Sequence, residues 1–82
     1  MSIHVKYFAS LRETMGRSND DVAFSEAPTP NTLTVEEVWN LATNHMQPPE
    51  RLLVAVNQEY ANFSKQVCDG DEVAFFPPVT GG

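Results

Sequence analysis

The segment Leu33-Thr34-Val35-Glu36-Glu37-Val38-Trp39 opens the one sustained helical pattern in this chain. Thr34 stands where an N-cap hydroxyl accepts a bond from the backbone N–H three residues on. Glu37 stands where a carboxylate reaches back to the cap, completing a capping box. Leu33 and Val38 occupy the two positions of a hydrophobic staple. Val35, Val38, Trp39, Ala42 and Met46 recur at helical spacing and draw one apolar stripe. The pattern predicts a helix from Val35 to about Met46, stopped by Gln47-Pro48-Pro49, with Trp39 as its core anchor. A lone amphipathic helix cannot bury its own stripe. With strand patterns on both sides, it must cover one face of a sheet.

Those strand patterns are short. Ile3 to Phe8 alternates, with Ile3, Val5 and Tyr7 on one face and His4, Lys6 and Phe8 on the other. Ser10 is placed to cap a short helix through Met15, with Gly16 just past its end. Arg17 to Asp20 reads as a turn, and Asp21 to Ser25 as a second strand antiparallel to the first. Ala27-Pro28-Thr29-Pro30-Asn31 is a loop, because it holds too much proline for a regular element. Leu52 to Val56 is a strand bounded by Asn57, and Glu59 to Phe63 holds a short extended piece. Asp69-Gly70-Asp71 is a turn that launches a last strand, Glu72 to Phe76. The first and last strands pair in parallel, since everything between them supplies the crossover. The expected fold is α+β: a mixed sheet of about five strands with one main helix on one face.

Bulk properties narrow the function. At 82 residues the chain is one domain, and a domain of this size buries only about 60–65% of its unfolded surface. Five Lys+Arg against eleven Asp+Glu give a net charge of −6, with no basic footprint for nucleic acid. No apolar run approaches the ~20 residues of a membrane helix, and the N-terminus shows no secretory pattern. A single cysteine, Cys68, forms no internal disulfide. A cytoplasmic protein without nucleic-acid or membrane partners is expected. His4, His45 and Cys68 are scattered and make no metal site. Four glycines form no phosphate-binding loop. Cys68, beside a turn, reads as a small structural residue rather than a nucleophile.

The chemistry lies in the last residues. Pro77-Pro78 ends the final strand, because proline donates nothing to a ladder. Val79-Thr80-Gly81-Gly82 follows. This divides the chain into a domain, residues 1–76, and a flexible tail, residues 77–82. Six extended residues reach at most about 20 Å, far enough to enter a pocket on another protein. Two glycines thread a narrow channel because they carry no Cβ. A terminal carboxylate, with a pKa near ~3.5, is ionised and a poor electrophile until it is activated, for instance as an acyl-adenylate. By parity, Val73 and Phe75 point into the core, and Ala74 and Phe76 point out. Parallel pairing brings Phe8 beside Phe76, and Tyr60 joins them. An exposed aromatic cluster at the root of such a tail marks a partner surface.

The run from Asp69 to Gly82, ending Phe75-Phe76-Pro77-Pro78-Val79-Thr80-Gly81-Gly82, resembles the C-terminus of the MoaD-type sulfur carriers. These are the small subunits of molybdopterin synthase, within the ubiquitin-like superfamily. Val5 to Glu13 and Leu53 to Gln58 are similar to that family's first and middle strands. The resemblance implies a β-grasp, ubiquitin-like fold and a sulfur-donor subunit that is inactive alone. It implies that an adenylyltransferase related to ubiquitin-activating enzymes spends ATP to form a glycyl adenylate at Gly82. A sulfur donor protein then converts this to a thiocarboxylate (1-thioglycine). The carrier itself binds no cofactor. The charged tail enters the large catalytic subunit and gives sulfur to the pterin precursor of the molybdenum cofactor. Gly81 and Gly82 are then the reacting site, and Pro77, Pro78, Val79 and Thr80 aim it. Phe8, Arg12, Tyr60 and Phe76 are docking candidates. Three other functions fit the residues: sulfur carriage for thiamine or tRNA thiolation, a protein modifier joined to lysines through Gly82, and a non-covalent interaction domain.

Overall fold

The computed structural model describes residues 2–23, 25 and 32–77. The chain runs β1 (Ser2–Tyr7), α1 (Ser10–Met15), β2 (Asn19–Ala23), β3 (Leu33–Thr34), α2 (Val35–Thr43), β4 (Leu53–Val56), β5 (Glu59–Ala61), β6 (Gln66–Val67) and β7 (Glu72–Phe76). Five strands form one mixed sheet in the order β2-β1-β7-β4-β5, and β3 pairs with β6 as a separate ribbon. The first and last strands lie side by side and parallel, with Val5 opposite Val73 and Tyr7 opposite Phe75. β7 is therefore the middle strand, with β4 antiparallel on its other side. The loop expected over Ala27–Asn31 lies outside the described residues.

Strand parity follows the sequence. Ile3, Val5 and Tyr7 are buried, as are Val73 and Phe75 and, from β4, Val54 and Val56. α2 lies over this face with Val35, Val38 and Trp39 fully buried. The Trp39 ring meets Phe75 edge-on at 4.9 Å, and Phe75 lies between Tyr7 and Phe63, at 6.5 and 6.4 Å. Aromatic packing of this kind adds about 0.5–1.5 kcal/mol per pair beyond area burial. The Trp39 indole N–H donates to the carbonyl of Met46 at 2.6 Å, so the buried ring leaves no orphan donor.

The start of α2 is fully satisfied. The Glu37 N–H donates to the Thr34 hydroxyl, and the Thr34 N–H donates to the Glu37 carboxylate. Leu33, at the staple position, is buried with Val38. Val35 and Glu36 N–H groups donate to the carbonyls of Lys65 and Phe63, so the loop after β5 serves as a further cap.

Three boundaries differ from expectation. α2 ends at Thr43 rather than near Met46, because Asn44 enters the left-handed region at φ 58° and its N–H returns to the Asn40 carbonyl. His45 follows at φ 63°, and Met46 is exposed rather than part of the stripe. The prolines only confirm a stop already made. α1 begins at Ser10, with Ala9 at the cap position and no side-chain cap. Ser10 is thus inside the helix, while Gly16 closes it at φ 72° as expected. β2 starts at Asn19, two residues before the expected strand. Asn19 and Asp20 look like turn residues, yet they open an edge strand, where the Asp20 carboxylate reaches Arg17 and that of Asp21 reaches His4.

Arg17 ties four elements together. Its guanidinium pairs with Asp20 and donates to the carbonyls of Met15 and Ala42, while stacking over the Tyr7 ring. The Tyr7 hydroxyl donates to the same Asp20 carboxylate at 3.0 Å. Burial, reinforced by that bond, pushes the Tyr7 phenol up to about 12. The neutral phenol is favoured in the fold, so its contribution is complete below about pH 10 and lost as pH rises through about 10 to 12. Urea midpoints measured from pH 8 upward should fall across that window. Tyr7→Phe should show a shallower fall; an identical fall would place the alkaline loss elsewhere.

The β4–β5 hairpin turns through Asn57 and Gln58, both at positive φ, 52° and 71°. Asn57 tolerates this region and uses it: its side chain donates to Asp71 and accepts from the Glu72 N–H, both at 3.0 Å. Gln58 has no such return. Gln58→Gly should therefore raise stability by about 0.5–1 kcal/mol, read from urea denaturation. A loss of stability would show that the Gln58 side chain makes a needed contact.

Candidate docking face and tail root

The sheet face opposite α2 carries the alternate residues of each strand, and it divides in two. On β2 and β1 it is charged and internally paired. His4 Nδ1 lies 2.6 Å from Asp21 Oδ1, in register across the two strands. Lys6 Nζ lies 2.7 Å from Glu72 Oε1 on β7. A shallow hollow of about 400 Å³ lies among these charges, lined by His4, Lys6, Asp21 and Glu72, at the end of β7 away from Pro77. On β7, β4 and β5 the same face is apolar: Ala74, Phe76, Leu53, Ala55 and Tyr60. Strand alternation sets both halves.

Of the expected docking residues, Tyr60 is 77% exposed and Phe8 45%, while Phe76 is half-buried. Tyr60 and Phe76 meet ring to ring at 5.8 Å. Phe8 joins through the main chain: its N–H donates to the Phe75 carbonyl at 3.1 Å, just past the β1–β7 ladder. No ring pair links Phe8 to Phe76 among the described residues; the aromatic neighbour of Phe76 is Tyr60. Arg12 is exposed on α1, the element that follows Phe8, and has no ion-pair partner among the described residues. Leu53 and Ala55 were not anticipated as part of this face. Their signal was parity against Val54 and Val56, and Leu53 stands directly opposite Phe76 in the ladder.

The tail root is held on both sides. Phe76 pairs with Leu53 on β4, and the Phe8 N–H closes on Phe75 from β1. Pro77 follows immediately and is half-buried. Pro78, Val79, Thr80, Gly81 and Gly82 lie outside the described residues. Cys68, exposed and with its N–H bonded to Asp71, lies before the start of β7. Five residues of strand, about 16 Å of rise, separate that end from Pro77. No group of three or more His, Cys, Asp or Glu side chains among the described residues forms a metal site. No helix there is long and apolar enough to cross a membrane.

A mixed sheet built around parallel terminal strands, crossed on one face by a single long helix, defines a ubiquitin-like β-grasp protein. The crystal structure of SAMP1 from Haloferax volcanii superposes on it with a TM-score of 0.80 at 26% identity, covering 100% of both chains. The ThiS family model matches residues 5–82, and the chain belongs to the ThiS family. It is 42% identical over 85 residues to the molybdopterin synthase sulfur carrier subunit of Escherichia coli, covering 98% of this chain and 99% of that one. The protein of the same name from Haemophilus influenzae is 39% identical over 84 residues, with 98% and 99% covered.

Burial separates the two phenylalanines at the end of β7. Phe75 is fully buried among Trp39, Tyr7 and Phe63, so Phe75→Ala should cost about 3–5 kcal/mol. Phe76→Ala should cost only about 1 kcal/mol, for a half-buried ring, and weaken partner binding at least about tenfold, as a docking aromatic does. Urea denaturation and titration calorimetry measure the two effects. A Phe76 variant as unstable as the Phe75 variant would place Phe76 in the core instead.

Proposed function

We infer that this chain is the sulfur carrier subunit of a molybdopterin synthase. The 42% identity to the Escherichia coli carrier across 98% of the chain supports this most directly, and the family match runs through Gly82. The fold supports it as well: the middle strand of the sheet delivers Pro77 to the rim of an exposed aromatic patch.

In the proposed cycle the Gly82 carboxylate attacks the α-phosphorus of ATP on an activating adenylyltransferase, and pyrophosphate leaves. Hydrosulfide-level sulfur supplied by a sulfur donor protein attacks the acyl carbon of the glycyl adenylate, the C–O bond to AMP breaks, and a thiocarboxylate remains. Phe8, Phe76 and Tyr60, with Leu53 and Ala55, then seat the carrier on the large synthase subunit, and Arg12 adds a polar contact at the rim. Pro77, Pro78, Val79 and Thr80 direct Gly81 and Gly82 into that subunit's pocket, where the sulfur passes to the pterin precursor. The carrier contributes a reacting terminus and a docking face; precursor binding and proton transfers fall to the large subunit. Cys68, at the far end of β7, takes no part in holding the sulfur. The cycle is assigned to the cytoplasm, where ATP is available.

Intact mass spectrometry after incubation with ATP, adenylyltransferase and sulfur donor should show one oxygen-to-sulfur exchange, mapped to Gly82. Deleting Gly82 should abolish it. Lysine-linked conjugates on a denaturing gel, with no exchange, would instead make the chain a protein modifier. An active truncated chain would overturn the mechanism.

A further inference from the structure

The sheet has two edges, and they differ. In β4, the Asn57 N–H donates to the Glu72 carbonyl at 2.8 Å. Residues 53, 55 and 57 therefore turn their main-chain groups towards β7, and residues 54 and 56 turn theirs towards β5. In the hairpin, Val56–Glu59 and Val54–Ala61 are the hydrogen-bonded pairs, and Ala55–Tyr60 is the open one. The N–H and C=O of Tyr60 thus point out of the sheet. At the opposite edge, the Tyr7 N–H donates to Ser18, and the same alternation turns the main-chain groups of Asn19, Asp21 and Ala23 outward. That edge carries the paired carboxylates of Asp20 and Asp21, and charges on an edge strand oppose added strands. The β5 edge instead joins the apolar half of the sheet face through the Tyr60 and Phe76 rings.

A partner seated on Phe8, Phe76 and Tyr60 reaches the β5 edge. Covering the outward N–H and C=O of Tyr60 without replacing their water bonds would leave both groups unsatisfied, at a cost to binding. An extended main chain offers both a donor and an acceptor at strand spacing, and an apolar side chain alongside. We propose that β5 is completed in the complex by an extended segment of the large synthase subunit, which pairs with the main chain of Tyr60 and lays an apolar side chain on the Tyr60–Phe76 rings. This rests on the sulfur-carrier function inferred above. The segment adds a sixth strand to the sheet that carries the tail, separated from β7 by β4 and β5, so the surface that grips the carrier and the pocket that takes its tail are fixed relative to each other.

Amide hydrogen exchange followed by NMR on isotope-labelled carrier, free and mixed with the large subunit, tests this. Tyr60 should exchange fast in the free chain and at least about tenfold slower in the complex, while Asp21, at the other edge, is unchanged. A complex that forms and protects Gly81 but leaves Tyr60 exchanging freely would overturn the added strand and leave the carrier function standing. Failure to form any complex would overturn both. Protection of Tyr60 in the free chain, lost on dilution, would show a second copy of the carrier at β5 and overturn the assignment to the large subunit.

Discussion

The parallel ladder between β1 and β7 is the contact on which the other elements depend. It joins Val5 to Val73 and Tyr7 to Phe75, pairs separated by 68 positions. Closing so long a loop is entropically costly, although the cost grows only slowly with length. What offsets it is the aromatic cluster formed at the same place. Phe75 on β7, Tyr7 on β1 and Trp39 on α2 come together only when the ladder is made. Sheet pairing and core packing are thus one event, and α2 has no surface to lie on before it happens.

The same ladder positions the site. Strand parity that sends Tyr7 and Phe75 inward sends Lys6, Phe8, Ala74 and Phe76 outward. The outer face then divides by composition. Where β1 meets β2 and the start of β7, polar and charged residues satisfy one another, His4 by a hydrogen bond with Asp21 and Lys6 by an ion pair with Glu72. Exposed pairs of this kind contribute little to stability, but they make that half self-sufficient and wet. Across β7, β4 and β5, small and aromatic residues leave a surface with no partner among the described residues. A net charge of −6 keeps such a surface soluble and favours a basic counterpart.

Local chemistry was the readable part of the sequence. The capping box at Thr34 and Glu37, the staple of Leu33 and Val38, and the left-handed Gly16 each depend on a few adjacent residues, and each appears in the structure. The end of α2 was misread because prolines are louder than Asn44, which ended the helix first. The start of β2 was missed because Asn19 and Asp20 look like turn residues until β1 is laid beside them. The β3–β6 ribbon rests on two residues from each strand, too few for any periodicity to show. On the candidate face, Phe8, Phe76 and Tyr60 were legible by alternation and by their size. Leu53 and Ala55 were not, because nothing in a four-residue strand says which parity faces the helix until β7 is laid beside it.

The place of β7 in the sheet also bears on how the protein is made. The strand at the centre is also the last strand of this sheet to be synthesised. Every earlier element must wait for it, because without β7 the pairs β2–β1 and β4–β5 are two separate hairpin-like pieces with no common sheet. Assembly of the sheet therefore waits until Phe76 has been made, and it proceeds at the slower pace of long-range pairing. A chain cut anywhere before Phe76 loses part of its middle strand, exposes the face meant for α2 and becomes a substrate for proteolysis. Foldedness itself thus certifies that synthesis has passed the root of the tail. A partner that recognises the folded docking face meets only chains that have grown that far.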